Sequence, residues 1–238
     1  MAYLTQQSLA LPRRSRRRRG LSAVPLVLLT AAGLIAASYV GYVLWPRWPE
    51  APVSLDAPAL PVVVAGVVFN IEPAAIRNSV QRRPGTQERI DLSYLWPSLE
   101  PPDPARKPTV GAPADPNERI FITIQNADGT LPLMERVQTI YPRYLVAEPS
   151  AGPAGLTQRA FRKDTPYSGE EIVFESVKAE HFLARCSRQG VVNSGSCLLE
   201  RRIGKADVIF RFPRDWLADW QSVATGVDAL VARLHPKE

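Results

Sequence analysis

The chain has few cysteines, and glycine does not recur at a regular spacing: its 238 residues include two cysteines and fourteen glycines. Two cysteines are too few for a small fold built on disulfides, and glycine is far below the one residue in three of collagen. Disorder is excluded as well, because 45% of the residues are apolar. No segment repeats along the chain, which argues against solenoids and propellers. The length therefore allows one packed domain or two small ones.

Local signatures of catalysis and cofactor binding are also missing. The sequence contains no HExxH, GxSxG, GxxxxGK[ST] or GxGxxG motif. Asn126, Asp128, Gly129 and Glu135 match four positions of a calcium loop, but Ile124 stands where the first carboxylate belongs. A turn explains these residues more simply. We therefore predict no cofactor and no metal site, and we favour a non-enzymatic protein. An enzyme without a local signature, using His181 and a carboxylate, stays the alternative.

The formal net charge of +6 is confined to the first twenty residues. The charged side chains there are six arginines: Arg13, Arg14, Arg16, Arg17, Arg18 and Arg19. After Trp45, the remaining 29 − 6 = 23 basic residues are balanced by 23 acidic ones. A nucleic-acid-binding domain needs a surplus of basic residues to neutralise phosphates, so we predict no nucleic-acid partner. A basic run beside an apolar one is typical of a membrane-orientation signal.

Residues 21–45 contain no charged side chain, and about 20 apolar residues suffice to cross a bilayer. Aromatic residues, which prefer the headgroup layer, follow at the far end: Tyr39, Tyr42, Trp45 and Trp48. The arginines would stay in the cytoplasm, so we predict a single-pass protein of the bacterial inner membrane with a periplasmic C-terminal part. A cleaved signal peptide is the main alternative, because Ala36-Ala37-Ser38 is a small-residue stretch.

The sequence predicts four segments. Residues 1–20 form the basic cytoplasmic tail, residues 21–45 the transmembrane helix and residues 46–61 a proline-rich linker that acts as an extended stalk. Residues 62–238 form the exported domain. Seven prolines within residues 97–118 predict a loop there, and this loop leaves open a division of the domain into two parts.

The periodicity of the exported part predicts an α+β domain with antiparallel strands and a long amphipathic C-terminal helix. The run of residues 62–69 predicts one buried strand, and Pro73 predicts the start of a helix that ends before Pro84. Apolar spacing predicts a short helix over 133–144 and a five-turn helix from Trp216 to Leu234. Further strands are expected at 90–96, 120–126, 172–176, 181–188, 197–203 and 207–212.

Cys186 and Cys197 lie in neighbouring strand-like runs that flank a segment with Gly190, Asn193 and Gly195. In an antiparallel hairpin the two cysteines would face each other. Because an exported domain matures in an oxidising compartment, we predict a disulfide. Free thiols and a reactive or metal-binding role are the alternatives. A thiol–imidazole pair with His181 is disfavoured, since an offset of five residues places the two on opposite faces of one strand.

This layout resembles uncharacterised single-pass inner-membrane proteins of bacteria, and Phe69-Asn70, Ile76-Arg77 and Leu95-Trp96-Pro97 are similar to landmarks of such a family. The resemblance implies an architecture and no activity. Residues 62–95 are also similar in outline to the membrane-proximal domain of cell-division scaffold proteins, although that domain has two helices where this chain has room for one. The expected partners are the lipid bilayer and an envelope protein or cell-wall polymer. A sensor acting through a membrane partner is a further alternative.

Overall fold

In a computed structural model, the chain divides into two compact units, Met1–Glu50 and Ala51–Glu238. The structure describes residues 23–44, 53–103, 119–188 and 195–236. The six tail arginines, Trp45 and Trp48 lie outside the described residues, as do residues 104–118 of the predicted proline-rich loop.

The first unit contains helix α1, Ala23–Leu44. Its 22 residues span about 33 Å at 1.5 Å per residue, slightly more than the thickness of a hydrocarbon core, about 30 Å. The hydroxyl of Thr30 donates to the carbonyl of Val27 at 2.9 Å, so this polar group is satisfied within the helix. Tyr39 and Tyr42 are exposed on it. The helix is long and apolar enough to cross a membrane, a property that membrane anchors and signal sequences share.

The described part of the second unit forms two sheets. The smaller one has the order β2-β1-β3, with β1 and β2 antiparallel and β3 parallel to β1, and consists of β1 Leu60–Val64, β2 Val67–Ile71 and β3 Gly85–Thr86. The larger sheet is antiparallel throughout and consists of β4 Arg89–Leu95, β5 Arg119–Asn126, β6 Ser150–Ala151, β7 Thr157–Ala160, β8 Glu170–Phe174, β9 Leu183–Ser187, β10 Ser196–Ile203 and β11 Ala206–Pro213. Its spatial order is β4-β5-β11-β10-β9-β8-β7-β6.

The described residues of this unit also form two α-helices, α2 (Leu133–Thr139) and the C-terminal helix α3 (Trp220–Leu234). The predicted α+β class, with antiparallel strands and a C-terminal helix, is confirmed. Helix α3 begins four residues later than predicted, because Arg214–Asp219 forms a 3₁₀ helix. Trp216 in that turn stacks on Trp96 with ring centroids 4.5 Å apart.

Each face of the large sheet carries its own apolar cluster, because side chains alternate along a strand. The main core joins one face to the small sheet and α3, and includes Ile122, Phe210, Val62, Phe69, Val227 and Leu230. A smaller cluster lies on the opposite face near β8 and β9, and includes Leu133, Tyr141, Leu145, Phe161, Ile172 and Leu183. The cluster leaves the same face open over β4, β5 and β11, where the candidate surface lies.

The predicted strand over 62–69 is wrong: it is the hairpin of β1 and β2. Ala65 and Gly66 turn the chain with φ angles of 50° and 81°. Positive φ at both central residues is the geometry of a two-residue turn that matches strand twist, and glycine adopts it without strain. Ala65 and Gly66 lie within a continuous apolar run, so hydropathy alone does not distinguish this hairpin from a single buried strand.

The predicted helix after Pro73 is also wrong. Two 3₁₀ turns, Pro73–Ala75 and Ser79–Gln81, replace it. The N–H of Arg77 donates to the carbonyl of Asp91 at 3.0 Å, and Ile76 forms a bridge with Leu92. The segment therefore pairs with the free edge of β4, and these bonds draw its backbone out of a helical path.

Candidate interaction surface

The predicted disulfide between Cys186 and Cys197 is confirmed. The two residues are directly opposite in β9 and β10, with Cα atoms 4.0 Å apart, and both are fully buried. Neither cysteine is a free thiol. This excludes the thiol–imidazole pair with His181 and a reactive thiol in the folded chain.

A buried ion pair lies next to the disulfide. Glu171 of β8 is directly opposite Cys186, and its carboxylate pairs with the guanidinium of Arg214, which follows β11. The backbone N–H of Arg214 also donates to Gly195, and its side chain donates to the carbonyl of Ser187. Arg214 thus links β8 to Ser187, at the end of β9, and to Gly195, just before β10.

The two histidines hold surface contacts. Nδ1 of His181 lies 2.9 Å from the carboxylate of Glu175, and its ring packs edge-on against Trp220. In the part of the chain that the structure describes, no serine or cysteine is hydrogen-bonded to this imidazole. His235, at the end of α3, donates from Nδ1 to the carbonyl of Val68 at 2.9 Å. His235 therefore caps the outer edge of β2.

Among the described residues, no group of three or more His, Cys, Asp or Glu side chains is close enough to hold a metal ion. Within the described ranges, a metal ion would therefore find at most two such ligands in one place.

A different surface brings charged and apolar groups together on the open part of the large sheet. It consists of two adjoining depressions that share Arg77, Arg89 and Asp91. We call this surface the arginine face and define it by eight residues: Arg77, Arg82, Arg89, Asp91, Phe121, Leu198, Ile209 and Arg211. Sequence reasoning did not find it.

Strand register builds the floor of the arginine face. Arg211 of β11 is directly opposite Phe121 of β5 on one side and Leu198 of β10 on the other. In the next row, Thr123 lies between Asp91 and Ile209. Neighbouring strands are about 5 Å apart, so the side chains of each row touch across the sheet.

Two arginines on this surface are held in place. The guanidinium of Arg77 lies over the ring of Phe121, 4.7 Å from its centroid, as in a cation–π contact. Arg89 binds the carboxylate of Asp91 through Nε and Nη2, and Thr123 donates to the same carboxylate at 2.8 Å. Partial burial alone would raise the pKa of Asp91, but these hydrogen bonds and the Arg89 charge together lower it below its ordinary value.

Outside the arginine face, another depression lies between α2 and residues 177–181, with Met134 and the exposed Val177 at its rim. Its charges balance: Lys178 and Arg201 are matched by Glu180 and Asp228, and Arg201 pairs with Asp228 at 3.4 Å. A balanced, internally paired surface exerts little selective attraction on a charged partner. The arginine face is therefore the stronger candidate.

Comparison with known proteins gives distant likenesses. No family model matches the chain, and no curated protein matches it. An immunity protein of the Stenotrophomonas maltophilia type IV secretion system is similar over 76% of this chain and 94% of its own, with 17% identity and a TM-score of 0.48. The iron-regulated outer membrane lipoprotein FrpD of Neisseria meningitidis is similar over 77% and 96%, with 14% identity and a TM-score of 0.38. At these values neither likeness bears on what the chain does.

Proposed function

We propose that this chain is a single-pass protein of the bacterial inner membrane whose C-terminal domain lies in the periplasm and binds an envelope partner without catalysing a reaction. In this proposal the arginine-rich tail is cytoplasmic, α1 is an uncleaved anchor, and the proline-rich linker holds the domain away from the bilayer. Tethering raises the local concentration of the domain for partners at the same membrane.

The observation that carries the proposal is the disulfide between Cys186 and Cys197. Structural disulfides persist in oxidising compartments and are rare in the cytoplasm. The apolar helix α1 supplies a route to such a compartment. The six tail arginines, which the positive-inside rule retains in the cytoplasm, set the direction of insertion.

The proposal of a binding protein rests on the arginine face. Arginine and aromatic residues are enriched where proteins bind each other. The surface combines guanidinium groups with Phe121, Leu198 and Ile209 on a rigid sheet. A rigid sheet presents these side chains with little loss of entropy on binding. The His181–Glu175 pair, by contrast, has no nucleophile hydrogen-bonded to it within the described residues.

Protease accessibility in spheroplasts tests the location. A tag on the C-terminus should be cleaved by added protease, whereas a tag on the N-terminus should be cleaved only after the membrane is broken. Alkylation of intact cells should find both cysteines protected until a reductant is added. A shielded C-terminal tag, or thiols that react without reduction, would contradict the proposal.

A matched variant sharpens the same experiment. Replacing the six tail arginines by glutamine and placing six arginines after residue 45 should invert the accessibility of the two tags, because basic residues near a helix end set orientation. A chain released as a shortened soluble protein would instead support a cleaved signal peptide.

A further inference from the structure

We infer that the arginine face binds an acidic segment of a protein partner, which presents carboxylate and apolar side chains on the same face. This inference rests on the proposed binding function and names the surface and the chemistry of its partner.

The charge of the arginine face exceeds that of the domain around it. Four guanidinium groups stand against the carboxylate of Asp91, which leaves 4 − 1 = +3. After residue 45 the chain as a whole is neutral, with 23 basic and 23 acidic residues. Such a concentration of one sign in a neutral domain raises the association rate for partners of the opposite sign.

Three of these guanidinium groups are available to an acidic partner. Arg89 is committed to Asp91, but Arg77, Arg82 and Arg211 have no ion-pair partner among the described residues. Arg82 donates from Nη2 to the carbonyl of Ile76 at 3.1 Å and keeps its charge uncompensated. Arg77 is held over the ring of Phe121, and Arg211 projects from the strand position directly opposite Phe121. Two positive charges therefore flank one aromatic ring, and carboxylates could bind both sides of it.

Apolar groups make the rest of the contact. Phe121, Leu198 and Ile209 are half-buried, and no side chain of the described residues covers them fully. Along a strand, residues on one face are about 7 Å apart. An extended segment whose every second residue points to the sheet, with acidic and apolar side chains taking turns at those positions, would match the rows of arginine and apolar residues.

Asp91 favours a protein over a membrane as the occupant. An anionic lipid surface is a continuous layer of phosphates, and the carboxylate of Asp91 in the middle of the arginine face would repel it. A protein segment avoids that repulsion by placing a hydrogen-bond donor or an apolar side chain there.

The test uses the full chain in detergent micelles and a short fluorescent peptide in which glutamate and leucine take turns at every second position, with serine between them. We expect binding that weakens as salt rises, and no binding of the matched peptide of glutamine and leucine. The double variant Arg77→Glu/Arg211→Glu should bind about tenfold more weakly or worse. The matched control Arg143→Glu reverses an exposed charge outside the arginine face and should bind as the wild type does.

Folding is monitored by thermal unfolding of each variant. If the double variant unfolds early, Arg77→Gln/Arg211→Gln removes the charges without reversing them, and it should show the same direction of change. Equal binding of the glutamate and glutamine peptides, or equal loss in Arg143→Glu, overturns the inference. If the full chain reconstituted in nanodiscs of neutral lipid binds separate vesicles rich in phosphatidylglycerol, loses that binding in Arg77→Glu/Arg211→Glu and binds no peptide, the occupant is a lipid surface and the inference is overturned too.

These outcomes are separate from those of the proposed location. A C-terminal tag found in the cytoplasm, with peptide binding intact, would refute the periplasmic proposal and leave the arginine face as a binding surface. A periplasmic tag without peptide binding would refute the arginine face alone.

Discussion

Glu171 and Arg214 form a buried ion pair beside the disulfide, with side chains 6% and 12% exposed. The pair joins β8 to the chain that leaves β11, with β9 and β10 lying between these two strands in the sheet. Burying both charges is costly, and their mutual attraction offsets that cost only while both partners are present. The stability of this end of the domain therefore depends on the pair as a unit.

Removing one partner should be more harmful than removing both. We expect Glu171→Ala to lower the free energy of unfolding by about 3 kcal/mol or more, since Arg214 stays buried without its partner. The double variant Glu171→Ala/Arg214→Ala should lose less than the sum of the two single changes. Urea unfolding of the purified chain measures each value. Arg162→Ala, in the exposed pair with Asp164, should change stability by less than about 1 kcal/mol.

Removing the disulfide should lower the free energy of unfolding, because the unfolded chain gains conformational entropy. The bond joins residues 11 positions apart, and closing a loop of this length contributes about 3 kcal/mol. Wild-type protein should therefore unfold at lower urea concentration after reduction. Cys186→Ser/Cys197→Ser should unfold near the reduced wild type and be unaffected by the reductant. If the reductant also lowered the urea midpoint of this variant, the effect on the wild type could not be assigned to the disulfide.

Gly226 of α3 lies against the ring of Trp96. A Cβ atom at this position would be 2.7 Å from the nearest ring atom, too close for an ordinary contact. Alanine normally gains about 1 kcal/mol over glycine in a helix, but we expect Gly226→Ala to be destabilising by about 1–3 kcal/mol, because the indole must move. Ser222→Ala on the exposed side of the same helix is the control for helix propensity. Gly226→Ala that raises the melting temperature would show that the ring yields freely.

Asp91 should make stability depend on acidic pH. The lowered pKa of Asp91 in the folded chain means that its contribution is complete above the pKa of the unfolded chain, about 4. The contribution is then lost as the pH falls through the lower folded pKa. Asp91→Asn should therefore be less stable than wild type at pH 7, and the difference should shrink below pH 4. The control is Asp164→Asn, whose carboxyl is largely exposed and whose loss should change the stability at pH 7 by less than about 1 kcal/mol.

Much of the fold was predictable because its long strands alternate regularly. Ile120, Ile122 and Ile124 mark β5, and the apolar stripe of α3 follows the helical period. The helix predicted over 133–144 stops at Thr139, and Pro142 then lies in a separate 3₁₀ turn. Strand β7 was not predicted because its sequence, TQRA, has no alternation, and its place comes from pairing with β8.

The arginine face could not be read from the sequence for a topological reason. Arg77, Arg89 and Arg211 are up to 134 positions apart, and the strand order β4-β5-β11 brings them together. In β5, Phe121 and Thr123 alternate with buried isoleucines. This pattern indicates that the two residues lie on the other face of the sheet, but it does not indicate which residues of other strands lie beside them. The disulfide was predictable because Cys186 and Cys197 belong to strands adjacent in both sequence and space.

Because the chain contains two cysteines and both are used in one hairpin, the intramolecular oxidation of a newly made chain has a single product. Proteins with four or more cysteines must sort correct from incorrect pairings, often through slow exchange. This chain requires an electron acceptor to mature, but it gives a disulfide isomerase no wrong internal bond to correct.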